Sequence, residues 1–370
     1  MSSTGLLLID TKAIVANWRY INSQLTDENL SAKTAAVVKA NAYGLGVEPV
    51  ARALKEAGCL YFFVATLQEA IELRDIIGDA PDIYVLGGLS HGCSEEWVSY
   101  RLIPVLFDTA YVENWLDRCR HLGRPLPCAL KMDTGMHRLG LSAEELHGLV
   151  DKKNVAEQLN VTLLMSHLAC ADHPEHPLNE IQLDCFMAMH SRIKSYFPRA
   201  MLSLANSSGV FLGHAFHFDL LRPGAALYGV NPNPAKRNPM KSVVKLQLPV
   251  MQVRAIEMGE SVGYGATFSA DKNARIAVVF GGYADGLLRL LGNQGFGFCR
   301  GVRVPIVGRV SMDSMAFDVT GLDFVPDVIE ILNDQQSVDD LAAYADTIGY
   351  EILTSLGSRY QRQYVEFDNK

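Results

Sequence analysis

Nothing in this sequence marks it for secretion, a membrane or a disulfide scaffold. The seven cysteines, Cys59, Cys93, Cys119, Cys128, Cys170, Cys185 and Cys299, are odd in number and scattered, with no C-x-x-C pair. That is how reduced thiols look, and it supports neither cross-links nor a zinc site, so no metal is expected. No apolar run approaches the roughly 20 residues that span a bilayer. The opening MSSTGLLLIDTKAIVANW has no basic segment ahead of a long apolar one, so no secretory signal is expected and the cytoplasm is the expected compartment. There is also no block of like charge. The 33 basic and 41 acidic residues give a formal net charge of -8, which argues against nucleic acid or a membrane surface as the main partner.

What is present is an ordinary globular composition, 49% hydrophobic and 20% charged over 370 residues, long enough for two domains. Short apolar runs recur: AAVVKA (35–40), YFFVAT (61–66), DIYVLGG (82–88), IPVLFD (103–108), CALKMD (128–133), VTLLMSHL (161–168), MLSLAN (201–206) and FDLLRPGAALYG (218–229). Continuous rather than alternating apolarity suits strands covered on both faces, as in a parallel sheet. Most intervals have room for a helix. TAYVENWLDRCRHLG (109–123) sets Val112, Trp115, Leu116 and Cys119 on one face ahead of Gly123, and SAEELHGLVDKK (142–153) opens with Ser142 and Glu145 at capping-box spacing. Eight strands alternating with helices over about 230 residues fit a (β/α)8 TIM barrel. A doubly wound open sheet competes, and counting strands does not decide between them. The interval 206–218 is short for a helix.

A proline- and asparagine-rich break, NPNPAKRNP (231–239), reads as a linker. Beyond it come short, glycine-punctuated strand-like runs, with little helix before SVDDLAAYADTIG (337–349). The expected architecture is an α/β TIM barrel over 1–240 that binds a cofactor, then a mainly β domain over 241–370. Residues 1–10 are open to packing with the second domain.

Barrels of this kind gather chemistry at the carboxyl ends of their strands. Lys39 ends the first run, His167 the sixth, Asn206 and Ser207 the seventh, and Arg222 follows the eighth. Burying an unpaired ammonium is unfavourable, so an amine at Lys39 would lose proton affinity and suit Schiff-base formation. Taken alone, such a lysine is more often one reaching to the sheet rim. ANSSG (205–209) and RPGAALYG (222–229) offer backbone amides where this fold holds phosphate. Together these parts suit pyridoxal phosphate, with Arg222 rather than an aspartate available for the pyridine nitrogen.

Eight segments in order carry a resemblance: VVKANAYGLG (37–46), KMDTGMHRLG (131–140), SHLACAD (166–172), ANSSG, LRPGAALYG (221–229), SVGYGAT (261–267), GGYADG (281–286) and GRVSMDSM (308–315). The chain resembles alanine racemase along essentially its whole length. The resemblance implies an isomerase that interconverts L- and D-alanine in the cytoplasm by two-base α-proton exchange on a pyridoxal phosphate imine. Lys39 would hold the cofactor and act on D-alanine, and Tyr264, supplied by the partner in a head-to-tail homodimer, would act on L-alanine. His167 and Arg222 would link to Tyr264, with Arg222 facing the ring nitrogen. Tyr43, Asn206, Ser207, Gly224 and Ala225 would surround the phosphate, while Arg138 and the Met312 backbone would receive the substrate carboxylate. Lys131 matches a lysine carbamylated in many members. Asp172, Arg289 and Arg309 resemble residues of the entrance corridor.

Some members place a phosphate-contacting tyrosine near the carboxyl terminus. In SLGSRYQRQY (355–364) that position falls on Ser358, with Tyr360 out of register. A broader amino-acid racemase acting on serine, a related barrel decarboxylase, a non-catalytic pyridoxal phosphate carrier and a barrel serving as an interaction module stand as alternatives. D-alanine for peptidoglycan precursors and a catabolic role are equally open at this stage.

Overall fold

The computed structural model of the chain describes residues 5–25, 32–89, 94–152 and 155–367. Cys93, residues 1–4 and the tail of the 142–153 helix at 153 lie outside them. Strand β1 (Leu6–Ile9) comes first in the chain but does not join the barrel. The barrel starts with β2 (Lys33–Thr34) and β3 (Ala36–Val37), two halves of one run interrupted at Ala35. It continues through β4 (Tyr61–Val64), β5 (Asp82–Val85), β6 (Ile103–Leu106), β7 (Pro127–Lys131), β8 (Asn160–Met165) and β9 (Met201–Ser203), parallel throughout from β3 to β9. A short β10 (Leu220–Leu221) pairs in parallel with β2. The Asp219 and Arg222 amides donate to the Leu202 and Ala205 carbonyls at 3.0 Å each, so β10 also lies against the β9 side and the ring closes.

The helices form where the sequence predicts. Thr109–Leu122 buries Val112, Trp115, Leu116 and Cys119 and stops at Gly123, whose φ of 64° suits a residue without a side chain. Ser142 and Glu145 make both halves of the capping box on Ala143–Asp151. The short interval after β9 holds two single 3-10 turns, Gly209–Leu212 and His214–Phe216, in place of a helix. Two expectations shift. The first barrel strand ends at Val37, so Lys39 lies beyond it, and the last is two residues long because 222–229 turns into the 3-10 segment Ala225–Tyr228.

Past the linker the chain builds β11 (Val244–Ile256), β12 (Ser261–Val262), β13 (Phe268–Ser269), β14 (Ala274–Phe280), β15 (Phe296–Cys299), β16 (Val302–Pro305), β17 (Ser314–Asp318), β18 (Val328–Leu332) and β19 (Gln361–Tyr364). Two helices, Val338–Tyr344 and Gly349–Ser355, precede β19. In this sheet β1 lies between β11, to which it is antiparallel, and β19, to which it is parallel. Asp10 secures the junction: its carboxylate caps Thr11–Asn22 through the Ala13 amide at 2.8 Å and accepts from the Phe367 amide at 2.7 Å. The last strand also reaches the barrel mouth. Arg362 donates to the Gly44 carbonyl at 3.2 Å and the Tyr364 hydroxyl to the Leu45 carbonyl at 3.0 Å.

Candidate active site

The residue after β3 decides the shape of the barrel mouth. From Ala40 to Tyr43 the backbone winds left-handed, with φ values of 53°, 54°, 52° and 55°, and only then reaches Gly44 at 83°. Such a conformation is unfavourable by roughly 1–2 kcal/mol for each residue bearing a β-carbon, so it persists only where neighbours hold it. The Ala42 amide bonds to the Val38 carbonyl at 2.9 Å and the Gly44 amide to Ala40 at 2.8 Å. Asn41 accepts from the Val47 amide at 2.7 Å, and Glu69 accepts from the Ala40 amide at 2.8 Å. A β-carbon on Gly44 would stand 2.6 Å from the Leu353 carbonyl oxygen, which is why glycine ends the turn.

The turn aims Lys39 and Tyr43 into a cavity of about 360 Å³. Lys131, Arg138, His167, Asn206, Ser207, Arg222, Gly224 and Ala225 line the same cavity. Ten side chains or backbone positions that the sequence nominated therefore converge, from the ends of most barrel strands. Ser207 accepts from the Gly224 amide at 2.9 Å and the Ala226 amide at 3.2 Å, fixing the loop after β10. Asn206 accepts from the Gly209 amide at 2.9 Å.

The electrostatics are one-sided. Lys39, Lys131, Arg138 and Arg222 line the cavity, and among the described residues no carboxylate does. Burial pushes Lys131 down to about 8, with Arg138 and Arg222 adding to the effect. It lowers Lys39 as well, helped by Arg138 and opposed by Glu69. Burial, then Arg222 and the other cations, drives His167 down to about 3, so the ring is neutral. Arg222 is buried and lowered to about 9 by desolvation; it donates to the Ser203 hydroxyl, to the Ser166 carbonyl at 2.5 Å and to the Leu204 carbonyl at 3.4 Å. A cavity of this kind favours an anionic occupant.

The remaining nominees lie elsewhere. Asp172 lines a neighbouring cavity of about 700 Å³ that shares His167, Asn206 and Tyr350 with the first. Tyr264, Arg289, Arg309 and Met312 line a separate one of about 510 Å³ on the β domain, together with Tyr283. Tyr264 is 74% exposed and Met312 53% exposed. Within one chain, Arg222 and Tyr264 share no hydrogen bond: the Arg222 partners are those just named.

Sequence reasoning missed Tyr350. Ser358 is not the residue that takes the carboxyl-terminal tyrosine's place at the cavity; Tyr350 and Thr354 line it, four residues apart on helix Gly349–Ser355, while Tyr360 is packed in the core. The Tyr350 ring stands 6.2 Å from that of Tyr43. The i, i+4 spacing of Tyr350 and Thr354 beside a short apolar helix is the signal that could have found it. Among the described residues, no group of three His, Cys, Asp or Glu is placed to hold a metal ion, and no helix is long and apolar enough to cross a membrane.

Residues 9–232 match the family model "Alanine racemase, N-terminal domain" and residues 243–364 match "Alanine racemase, C-terminal domain". The chain belongs to the alanine racemase family. It is 46% identical to a catabolic alanine racemase of Mesorhizobium japonicum over 365 residues, covering 98% of this chain and 93% of that one. It is also 46% identical to an alanine racemase of Rhodospirillum rubrum over 369 residues, covering 98% and 96%. Among solved structures, alanine racemase from Bartonella henselae with covalently bound pyridoxal phosphate superposes with a TM-score of 0.92 at 38% identity, covering 98% of this chain and all of that one. A biosynthetic alanine racemase from Pseudomonas aeruginosa gives 0.88 at 35% identity, covering 99% and 100%. The barrel-plus-β architecture is thus the alanine racemase fold, and the family's two domain matches meet across the 231–239 linker.

Proposed function

We propose that the protein is a pyridoxal phosphate-dependent alanine racemase that uses one base on each face of the α-carbon, Lys39 and the partner subunit's Tyr264. The observation that carries this reading is the cavity at the barrel mouth, where four cations converge without a carboxylate among the described lining residues. The residues present suit the cofactor. Ser207, Tyr43 and the backbone at Gly224 and Ala225 would hold its phosphate, Lys39 would bind it covalently, and Arg222 would face the ring nitrogen as a donor that does not surrender a proton. When bound, pyridoxal phosphate supplies the electron sink that makes the α-hydrogen of alanine acidic.

Each residue then has a task. Lys39, its proton affinity lowered by burial, would take a proton from D-alanine or return one. Tyr264 of the partner subunit would do the same on the other face for L-alanine. Tyr264 is exposed and, among the described residues, no lysine lines its own cavity, which supports a second copy supplying one. Arg138 would fork the substrate carboxylate, and the backbone of Met312 would meet the same group from the partner. Asp172 at the barrel mouth and Arg289 and Arg309 beside Tyr264 carry complementary charge, which supports a head-to-tail homodimer with shared sites. Lys131, with its low proton affinity, would gain a carbamate that holds Arg138. Tyr350, which lines the cavity with its ring 6.2 Å from that of Tyr43, would narrow the mouth.

The test is direct. Purified protein given pyridoxal phosphate and L-alanine is expected to form D-alanine; no product from alanine, serine or other amino acids would overturn the reading.

A further inference from the structure

The left-handed turn that follows Lys39 is anchored at its first residue by a side chain from a different part of the barrel. Glu69 occupies the third position of helix Leu67–Ile77, where it closes a capping box with Thr66. One carboxylate oxygen accepts from the Ala65 amide at 2.7 Å and the Thr66 amide at 3.2 Å; the other accepts from the Ala40 amide at 2.8 Å. A capping box needs only the first of these roles. The bond to Ala40 is additional, and it ties the residue next to Lys39 to the end of β4.

We propose that Glu69 is a positioning residue for Lys39: its carboxylate holds the start of the left-handed turn against the β4 end and so fixes the direction in which Lys39 enters the cavity. The inference rests on the reading of Lys39 as the cofactor lysine and base. Asn41 and Gly44 stabilise the far side of the turn by their own bonds, but at its first amide Glu69 is the acceptor. Glu69 also raises the proton affinity of Lys39, in a setting where burial and Arg138 lower it and where Lys131, His167, Arg222, Tyr43 and Tyr350 line the same cavity.

The control is Thr66→Ala, which removes the reciprocal half of the capping box, the Glu69 amide to Thr66 hydroxyl bond at 3.2 Å, and leaves the Ala40 bond intact. Glu69→Ala leaves that backbone bond in place and removes the carboxylate's bonds to the Ala40, Ala65 and Thr66 amides. Glu69→Gln keeps one carbonyl acceptor and replaces the other oxygen with an amide NH2, which cannot accept, so the bonds from Ala40 and from Ala65 and Thr66 can no longer all be made. Three quantities are measured on the cofactor-loaded protein: the rate at which hydroxylamine strips the cofactor, kcat in each direction against pH, and the thermal midpoint. Thr66→Ala is expected to lower the midpoint while leaving cofactor release and kcat within about twofold of wild type. Glu69→Ala is expected to speed cofactor release and lower kcat by about tenfold, as misplacement of a reacting group by a fraction of an ångström does. Glu69→Gln is expected to fall between them and to move the acidic limb of the D-to-L profile to lower pH, leaving the L-to-D limb in place. Glu69→Ala matching Thr66→Ala in release, kcat and pH profile would overturn this inference alone. A wild-type protein that neither retains the cofactor nor racemises alanine would overturn the functional reading and this inference with it.

Discussion

The hydroxyl oxygen of Tyr43 lies 2.4 Å from where a β-carbon on Gly224 would stand. Tyr43 comes from the left-handed turn after β3 and Gly224 from the loop after β10, so this approach joins the first and last strands of the barrel at the cavity. Gly224→Ala would force the phenol aside. Crowding of this kind is unfavourable by about 1–3 kcal/mol, and 1.4 kcal/mol is tenfold in binding. The variant is expected to bind pyridoxal phosphate at least about tenfold more weakly by fluorescence titration. In a Tyr43→Phe background, which lacks the clashing oxygen, Gly224→Ala is expected to weaken binding less than it does in the wild type; an equal loss in both backgrounds would mean that Tyr43 is not what the new methyl group meets.

Arg359 ties two turns of the β domain together. It grips the fully buried carboxylate of Asp285 at 2.6 and 2.7 Å and reaches Asp313 at 2.7 Å, next to Met312. Arg359→Ala would leave Asp285 without its main cationic partner. Breaking such a pair from one side leaves the buried Asp285 carboxylate uncompensated, so the variant is expected to be less stable. Denaturant unfolding is expected to show that loss, and KM for alanine is expected to rise more than kcat falls, because the Met312 loop loses its tether. An unchanged KM would separate Arg359 from substrate binding.

Much of the fold could be read from the chain, for identifiable reasons. The buried face of Thr109–Leu122 and the Ser142–Glu145 cap are local patterns with local causes, and the structure repeats them. The turn at Ala40–Tyr43 was not legible, because four residues with β-carbons give no local sign of positive φ; tertiary contacts from Glu69, Arg362 and Tyr364 impose it. Nor does periodicity tell which sheet β1 joins, since its partners, β11 and β19, lie more than two hundred residues away. Lys39, His167, Asn206, Ser207 and Arg222 were legible through their place at or just past strand ends, whereas Tyr43, Lys131 and Arg138 were named only through the family resemblance. Tyr350 escaped because its helix packs back onto the barrel from the far end of the sequence.

His167 sets a pH dependence. Its ordinary value of 6.5 falls to about 3 in the folded protein, mainly through burial. The unfolded chain therefore binds the proton first as pH drops, so stability is full above about 6.5 and is lost progressively below it. His167→Gln is expected to flatten the decline of the thermal midpoint between pH 6.5 and pH 4.5. An identical slope in both proteins would contradict a neutral, buried His167.

Lys131, lowered to about 8, has an appreciable fraction of free amine near neutral pH. The amine can add to carbon dioxide, forming a carbamate and releasing a proton. Protein equilibrated with carbon-13 bicarbonate is expected to show one carbamate resonance that is absent from Lys131→Ala. The variant is expected to recover activity on addition of a small carboxylate. A wild-type spectrum without that resonance would contradict the modification.

The central claim is that each site combines Lys39 of one subunit with Tyr264 of the partner subunit. Lys39→Ala and Tyr264→Phe proteins, each deficient as homodimers, can be mixed under conditions that exchange subunits. Half of randomly mixed dimers are hybrids, and each hybrid has one intact site of two, so about a quarter of wild-type activity is expected. A mixture no more active than its two components would contradict the shared site.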